Sequence, residues 1–257
     1  MSTCLTRLTN LSTFAIILVM MIIGSFGSTV FAGEHRISHQ FVVSELWSDI
    51  RYLASEQDLY AVVGIVGLAP RAMKPAFDRE VPEFTEMWAT ETGDQFFELG
   101  AGMGAAIYPV SISALCLSLG RLEPSGKIES FGSSLMRAQA INGFLTASLK
   151  GAINRTRPDG APYSYPSGHT STAFTTAAVI QAHFGTKWGV PAFAAATYVG
   201  LSRLQENKHY MSDVVAGAIL GSYVGFKVAG RSSGLPRVAV TPTVINGSQG
   251  ITLSLRF

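Results

Sequence analysis

The sequence predicts an all-α fold, a helical bundle closed by a short C-terminal β-hairpin, and three observations carry that prediction. Long uncharged runs with apolar residues at helical spacing follow one another up to Val228, separated by Pro and Gly. Charged residues make up only 14% of the 257-residue chain against 47% hydrophobic ones, and 26 glycines with many alanines favour closely packed helices. The last eight residues, Gly250 to Phe257, switch to strict two-residue alternation. The formal net charge of +2 gives no nucleic-acid footprint.

The chain opens with Arg7, an apolar run from Phe14 to Gly24, and Val30-Phe31-Ala32 ending in a small residue. This pattern predicts a secretory signal over residues 1–32, cut after Ala32, with an uncleaved anchor helix as the alternative. In either case the body is expected to be exported, to the periplasm. With Cys4 inside the signal, Cys116 is left alone and a disulfide-stapled scaffold is excluded.

The body begins with residues 33–95. Phe41, Leu46, Trp47, Ile50 and Leu53 predict a helix through residues 41–69, and Pro70, Pro75 and Pro82 punctuate a long loop over 70–95. The core covers residues 96–230. Leu99–Gly120 is uncharged and long enough to span a bilayer, yet its Pro109, Gly and Ser residues suit a buried helix equally. Further helices are predicted over 130–150, with Arg137 inside, and over Ser171–Phe184, Pro191–Leu201 and Val214–Val228. The last three are shorter than the ~20 residues of a membrane span, so a soluble bundle is preferred to a multi-span body. Residues 231–257 form the tail: Val238–Val244 and Gly250–Phe257 read as strands about an Asn246–Gln249 turn. A lone hairpin is marginal in water, so the face of Ile251, Leu253, Leu255 and Phe257 is expected to rest on the body, a partner or a lipid surface.

Three short stretches carry chemistry. In Lys150-Gly-Ala-Ile-Asn-Arg-Thr-Arg157-Pro158 the two outer cations lie seven residues apart and would share a helix face. A point charge beside a bidentate fork suits a tetrahedral oxyanion, although a solvated basic face has the same sequence. In Tyr165-Pro-Ser-Gly-His169, Ser167 can cap a helix whose free N–H groups attract an anion. Gly168 allows close backbone approach and His169 falls in the first turn; an ordinary N-cap explains the stretch without a ligand. In Ser202-Arg203…His209…Asp213, the four-residue step lets the carboxylate orient the imidazole on a helix starting near His209, or lets the pair serve as a cap. His35 and His39 make a poor metal site, His183 reads as a surface or core histidine, and Tyr210 and Trp188 could line a pocket or simply pack.

Together the blocks spell K-x6-R-P, P-S-G-H and S-R-x5-H-x3-D. In this the chain resembles the type 2 phosphatidic acid phosphatase (PAP2) superfamily, which includes lipid phosphate phosphatases, class A acid phosphatases and vanadium haloperoxidases. The resemblance covers Lys150 to Asp213 and departs in the short gap between Pro158 and Pro166. It implies a metal-independent phosphoric monoester hydrolase with a helical fold of the PAP2/haloperoxidase type and no cofactor. His209 would be the nucleophile, Asp213 its orienting acid and His169 the general acid and base. Lys150, Arg157, Ser167, Gly168 and Arg203 would hold the phosphate. The implied substrate is a small phosphate ester or a phospholipid, with contact to a membrane surface. A vanadium-dependent haloperoxidase and an integral envelope lipid (pyro)phosphate phosphatase are the alternatives. The leaving group and the oligomeric state are not encoded in these motifs.

Overall fold

The computed structural model describes residues 39–56, 58–67, 78, 90–122, 125–233, 237–245 and 248–256. The signal segment and His35 lie outside them. The chain divides into two units, residues 1–47 and 48–257. Of the first, residues 39–47 are described, and they form the opening of helix α1 (His39–Ser55). The second continues with α2 (Asp58–Gly67), α3 (Glu91–Met103), α4 (Ile107–Leu119), a 3₁₀ turn (Gly120–Leu122), α5 (Lys127–Ile153), α6 (Gly168–Phe184), α7 (Thr186–Gln205) and α8 (Met211–Ser233). The chain closes with β1 (Arg237–Ile245) and β2 (Ser248–Arg256), paired antiparallel with Val240 opposite Leu253. The side chains on these strands lie outside the described residues, and so does the question of what their apolar face rests on.

Several predicted helices extend or break at places with a local cause. The single helix expected over 41–69 is two, separated near Glu56, where the Lys227 ammonium approaches the carboxylates of Asp58 (3.0 Å) and Glu56 (3.4 Å). The run Leu99–Gly120 is also two helices, bent by 45° between Met103 and Ile107. α7 starts at Thr186 rather than at Pro191, whose ring sits inside the helix near its start. Its sixth-residue position is a mild breach, because a proline there withholds one backbone donor. α8 runs 23 residues from Met211, not from Val214, and its residues 211–231 are long and apolar enough to cross a membrane. The expectation that each late helix is too short for a span therefore fails for α8. Half of that stretch is buried against protein.

The centre is built by α5, α6 and α8. α6 and α8 approach closely because Gly217 and Gly225 face backbone across the interface. A Cβ on Gly217 would stand 2.6 Å from the Ser167 carbonyl, and one on Gly225 2.7 Å from that of Thr175. The four-residue repeat of Ser167, Ser171 and Thr175 on one helix meets Gly217, Gly221 and Gly225 on the other, which is ridge-into-groove packing with the ridge removed. Thr175 Oγ1 donates across it to the Gly221 carbonyl at 3.1 Å. α5 is tied to α6 by Gln139, whose Nε2 donates to the Thr172 carbonyl (3.0 Å) and Thr176 Oγ1 (2.9 Å), and by Ser171 Oγ to Asn142 Oδ1 (2.5 Å). Leu135, Ala178, Val179, Leu220, Val224 and Val228 fill the apolar space between.

Arg137, noted in the sequence only as a charge inside a helix, is buried and donates to Asp49 at 2.7 Å; Arg231 reaches the same carboxylate at 3.0 Å. One carboxylate thereby holds α1, α5 and α8 together. Such a buried charge needs its partners, since removing one leaves an uncompensated ion in a medium of low dielectric. This cluster sits among the helices that carry the motif residues but uses none of them.

Candidate phosphate-binding and catalytic site

α5 ends at Ile153, where Asn154 takes a left-handed conformation (φ 43°) and its N–H returns to the Lys150 carbonyl at 3.0 Å. Arg157 therefore lies beyond the helix, and the shared helix face expected of Lys150 and Arg157 is not what joins them. They meet because the chain turns: Arg157 N donates to the Ala161 carbonyl (2.7 Å) and Ser164 N to the Arg155 carbonyl (2.8 Å). Lys150 Nζ donates to the carbonyls of Tyr163 (2.6 Å) and Ser164 (3.4 Å), and among the described residues no carboxylate pairs with it.

Ser167 is the N-cap of α6, with extended backbone and its hydroxyl accepting from Thr170 N, as capping chemistry prescribes. Its own N–H donates to the Asp213 carbonyl at 2.9 Å, fastening the Pro-Ser-Gly-His turn to the start of α8. A Cβ on Gly168 would meet only Lys150 Cε at 3.8 Å and Thr146 Cγ2 at 3.9 Å, ordinary contacts. Packing within the protein does not demand glycine there. Gly104 is different. A Cβ on it would stand 2.6 Å from Val199 Cγ1 and 2.9 Å from His169 Cβ, so the bend between α3 and α4 is pressed against His169.

His209 precedes α8 instead of opening it. The turn that ends α7 brings the N–H groups of Lys208 and His209 to the Arg203 carbonyl at 3.1 and 3.3 Å. His209 and Asp213 still meet, because Asp213 lies in the first turn of α8 and its Oδ2 accepts from Tyr210 N at 2.9 Å. His209 Nδ1 stands 3.4 Å from that same Oδ2, an ion-pair distance and not a tight hydrogen bond. Ser164 Oγ also donates to Oδ2, while Arg155 Nη1 takes Oδ1 at 2.7 Å. Both His209 and Asp213 are buried.

The cations are left short of carboxylates. Nε of Arg157 and Nε of Arg203 are buried with no hydrogen-bond partner among the described residues, and Glu206 alone sits on Arg203, 2.5 Å from Nη2. The consequence is visible at His169, pushed down to about 4. Burial is the largest cause, followed by Arg203, His209, Arg157 and Lys150. Lys150 falls to about 8, by burial first and then by Arg157. His209 is lowered too, by burial, against the opposing pull of Asp213. The five groups thus act on one another across a common space, and the positive end of α6 adds a partial charge of about +0.5 to it. A doubly charged oxyanion placed there would offset the repulsion that adds to burial in holding the imidazole of His169 neutral.

A pH dependence of stability follows from the two depressed histidines. His169 and His183, the latter half-buried beside Phe131 and Phe184, are both held near 4, while an unfolded histidine titrates near ~6.5. Their folded values lie below the unfolded ones, so their contribution is intact above ~6.5 and lost as the pH falls toward 4. Thermal denaturation across that window should show the melting temperature falling on acidification, with orthovanadate reducing the part due to His169.

Among the described residues no group of three or more His, Cys, Asp or Glu is placed to hold a metal ion. Sequence reasoning missed Arg155, Ser164, Ser212, Asp78, Glu206 and Gly104. Arg155 and Ser164 lie between motif letters, each near a residue that was singled out. Asp78 had no local signal; it comes from the long proline-punctuated loop. Tyr210 packs its ring under the Arg155 guanidinium at 3.9 Å, and Trp188 is exposed.

Residues 131–230 match the PAP2 superfamily. A lipid A 1-phosphatase from Porphyromonas gingivalis is 37% identical over 107 residues, covering 39% of this chain and 24% of that protein. One from Rhizobium johnstonii is 32% identical over 114 residues, covering 38% of this chain and 46% of that protein. The chain thus spans less than half the length of either relative. Among solved structures, the transmembrane PAP2-type phosphatidylglycerolphosphate phosphatase from Bacillus subtilis superposes with a TM-score of 0.55 at 21% identity, over 75% of this chain and 98% of that one. That likeness establishes the helical bundle as the PAP2 fold.

Proposed function

We propose that this chain, whose residues 131–230 belong to the PAP2 superfamily, hydrolyses the phosphate monoester of a membrane lipid on the exported side of the membrane. The observation that carries the reading is the convergence of Lys150, Arg157 and Arg203, short of carboxylates, on the buried His209–Asp213 pair and on His169 at a helix N-terminus. Three fixed cations supply what a transferring phosphoryl group needs, because its transition state spreads charge over the equatorial oxygens.

In this mechanism neutral His209 attacks phosphorus with the nitrogen turned away from Asp213, forming a P–N bond as the P–O bond to the lipid breaks. Asp213 stabilises the imidazolium so formed. His169 gives its proton to the leaving oxygen, then takes one from the water that attacks phosphorus and releases inorganic phosphate. His169 is neutral in the empty site, so the substrate's negative charge is what makes it an acid. The proton arrives with, or because of, the phosphate, and a substrate of lower charge would leave the acid unloaded.

The lipid assignment draws on the surface around the bend at Gly104. Leu99, Met103, Ile107, Tyr108, Ile112 and Leu115 are exposed on α3 and α4, on both sides of the segment that touches His169. The curated relatives are named as lipid A 1-phosphatases, which agrees with a phosphorylated lipid as substrate. The test is phosphate release by the full chain in detergent micelles from lipid A 1-phosphate, phosphatidic acid and para-nitrophenyl phosphate. A lipid phosphate should exceed the nitrophenyl ester by at least about tenfold in kcat/KM, the value of one well-used apolar contact region, with competitive inhibition by vanadate. Phosphate release from the nitrophenyl ester alone would reject the lipid assignment, and release from none would reject the phosphatase.

A further inference from the structure

Arg155 is the cation of this region that does not face the phosphate space. Its Nη1 donates to Asp213 Oδ1 at 2.7 Å and to Ser212 Oγ at 2.7 Å, and its Nη2 donates to Asp78 Oδ2 at 2.5 Å. Asp78 in turn accepts from Ser212 N (3.2 Å) and Ser212 Oγ (3.0 Å) at the start of α8. The Tyr210 ring closes the remaining face of the guanidinium. The result is a line behind His209 in which Asp213, Arg155 and Asp78 alternate in charge.

We infer that Arg155, anchored by Asp78, is a positioning residue for the His209–Asp213 pair. By occupying Oδ1, it fixes Oδ2 as the oxygen turned to the imidazole. The inference rests on the phosphatase reading for its kinetic arm only. Asp213 has two oxygens and a free carboxylate could present either. Here the planar fork of Arg155 and the hydroxyl of Ser164 assign one to each side, which is the geometric selectivity a guanidinium offers and an ammonium does not. Arg155 also tempers the charge of Asp213. A carboxylate sharing its charge with a guanidinium draws a proton onto the neighbouring imidazole less strongly, so His209 stays neutral and nucleophilic to lower pH. Other charges reach His209 as well: Lys150 from the last turn of α5, Arg157 from the loop after it and His169 from α6. All of these are cationic or become so, which leaves Asp213 as the group whose balance Arg155 controls.

The experiment titrates the His209 imidazole by NMR in the full chain, identified by its loss in His209→Asn, alongside kcat/KM on para-nitrophenyl phosphate and the Kd for vanadate. In Arg155→Met the His209 pKa should rise by about one unit. The acid limb of kcat/KM should move with it, the rate should fall about 100-fold, and vanadate affinity should stay within about threefold because the cradle is intact. Arg155→Lys should restore the titration but only part of the rate. Asp78→Asn should shift His209 the other way, since it frees the full charge of Arg155. Opposite shifts from the two variants are a signature that general loosening does not produce. If Arg155→Met does not fold, Asp78→Asn carries the titration arm, expected downward, and Arg155→Lys the rate arm, expected reduced at an unshifted titration. An unmoved His209 titration, or vanadate affinity lost in proportion to rate, overturns the inference. A wild-type chain that hydrolyses nothing overturns the proposed function instead, while the titration still decides the role of Arg155.

Discussion

Replacing His209 by alanine is expected to cut turnover by on the order of 10⁴-fold or more, the scale seen when a nucleophile is removed from a site whose other groups remain. The loss should fall on kcat, because the cations that hold the phosphate belong to other residues. The fold should survive. The backbone N–H of His209 keeps its bond to the Arg203 carbonyl, and the side chain makes no tight hydrogen bond that another group depends on. Circular dichroism and the melting temperature, read beside phosphate release from the lipid substrate, separate the two effects. A variant that keeps more than about a hundredth of the rate with a good leaving group would remove His209 from the bond-making step.

Asp213→Asn should cost both activity and stability. The carboxylate accepts from Arg155 on one oxygen and from Ser164 Oγ and Tyr210 N on the other. An amide offers one acceptor and one donor group, so whichever way it turns, an NH₂ faces a donor. Either way the Arg155 guanidinium loses one of its two counter-ions inside the protein; the turn decides only whether the NH₂ opposes Arg155 or takes the place of the acceptor that tethers Ser164 in the loop before α6. Breaking one partner of a buried ion pair costs about 3–5 kcal/mol. Loss of the acid that orients a catalytic histidine costs on the order of 10⁴-fold in rate where it has been examined in the serine triad. Urea denaturation and kcat/KM on the same preparation check the two figures. A stability loss below about 1 kcal/mol with activity within tenfold of wild type would mean that Asp213 is an ordinary helix cap.

How much of this could be read from the sequence depends on the range of the interaction. The Ser167 cap is local, encoded by a hydroxyl before an Ala/Thr-rich run, and it stands where the sequence put it. The all-α body and the broad order of helices follow from periodicity, which is also local. Chain reversals were harder. The seven-residue spacing of Lys150 and Arg157 suggests two turns of one helix, whereas Asn154 ends the helix and a turn brings Arg157 back. The four-residue step from His209 to Asp213 suggests a shared helix, whereas His209 stands before it and the carboxylate reaches back. The pairing survived the wrong geometry because four residues across a helix start span a distance similar to one turn within it. The contacts hidden altogether were those between distant segments. Asp78 meets Arg155 across 77 residues, and Gly104 meets His169 through packing that leaves no trace in spacing. The length of α8 was missed because its first turn is polar, occupied by Ser212 and Asp213, which serve the site and not the apolar run.

The central claim is that phosphoryl transfer passes through His209, and the most direct measurement is rapid-quench trapping of the intermediate. The full chain would be mixed with 32P-labelled phosphatidic acid and stopped in alkaline detergent, where a phosphorus–nitrogen bond survives. Wild type should carry label that acid removes, His169→Ala should accumulate more of it when a good leaving group is used, and mass spectrometry should place it on His209. Label that is stable in acid, that maps to another residue, or that persists in His209→Ala would contradict the account.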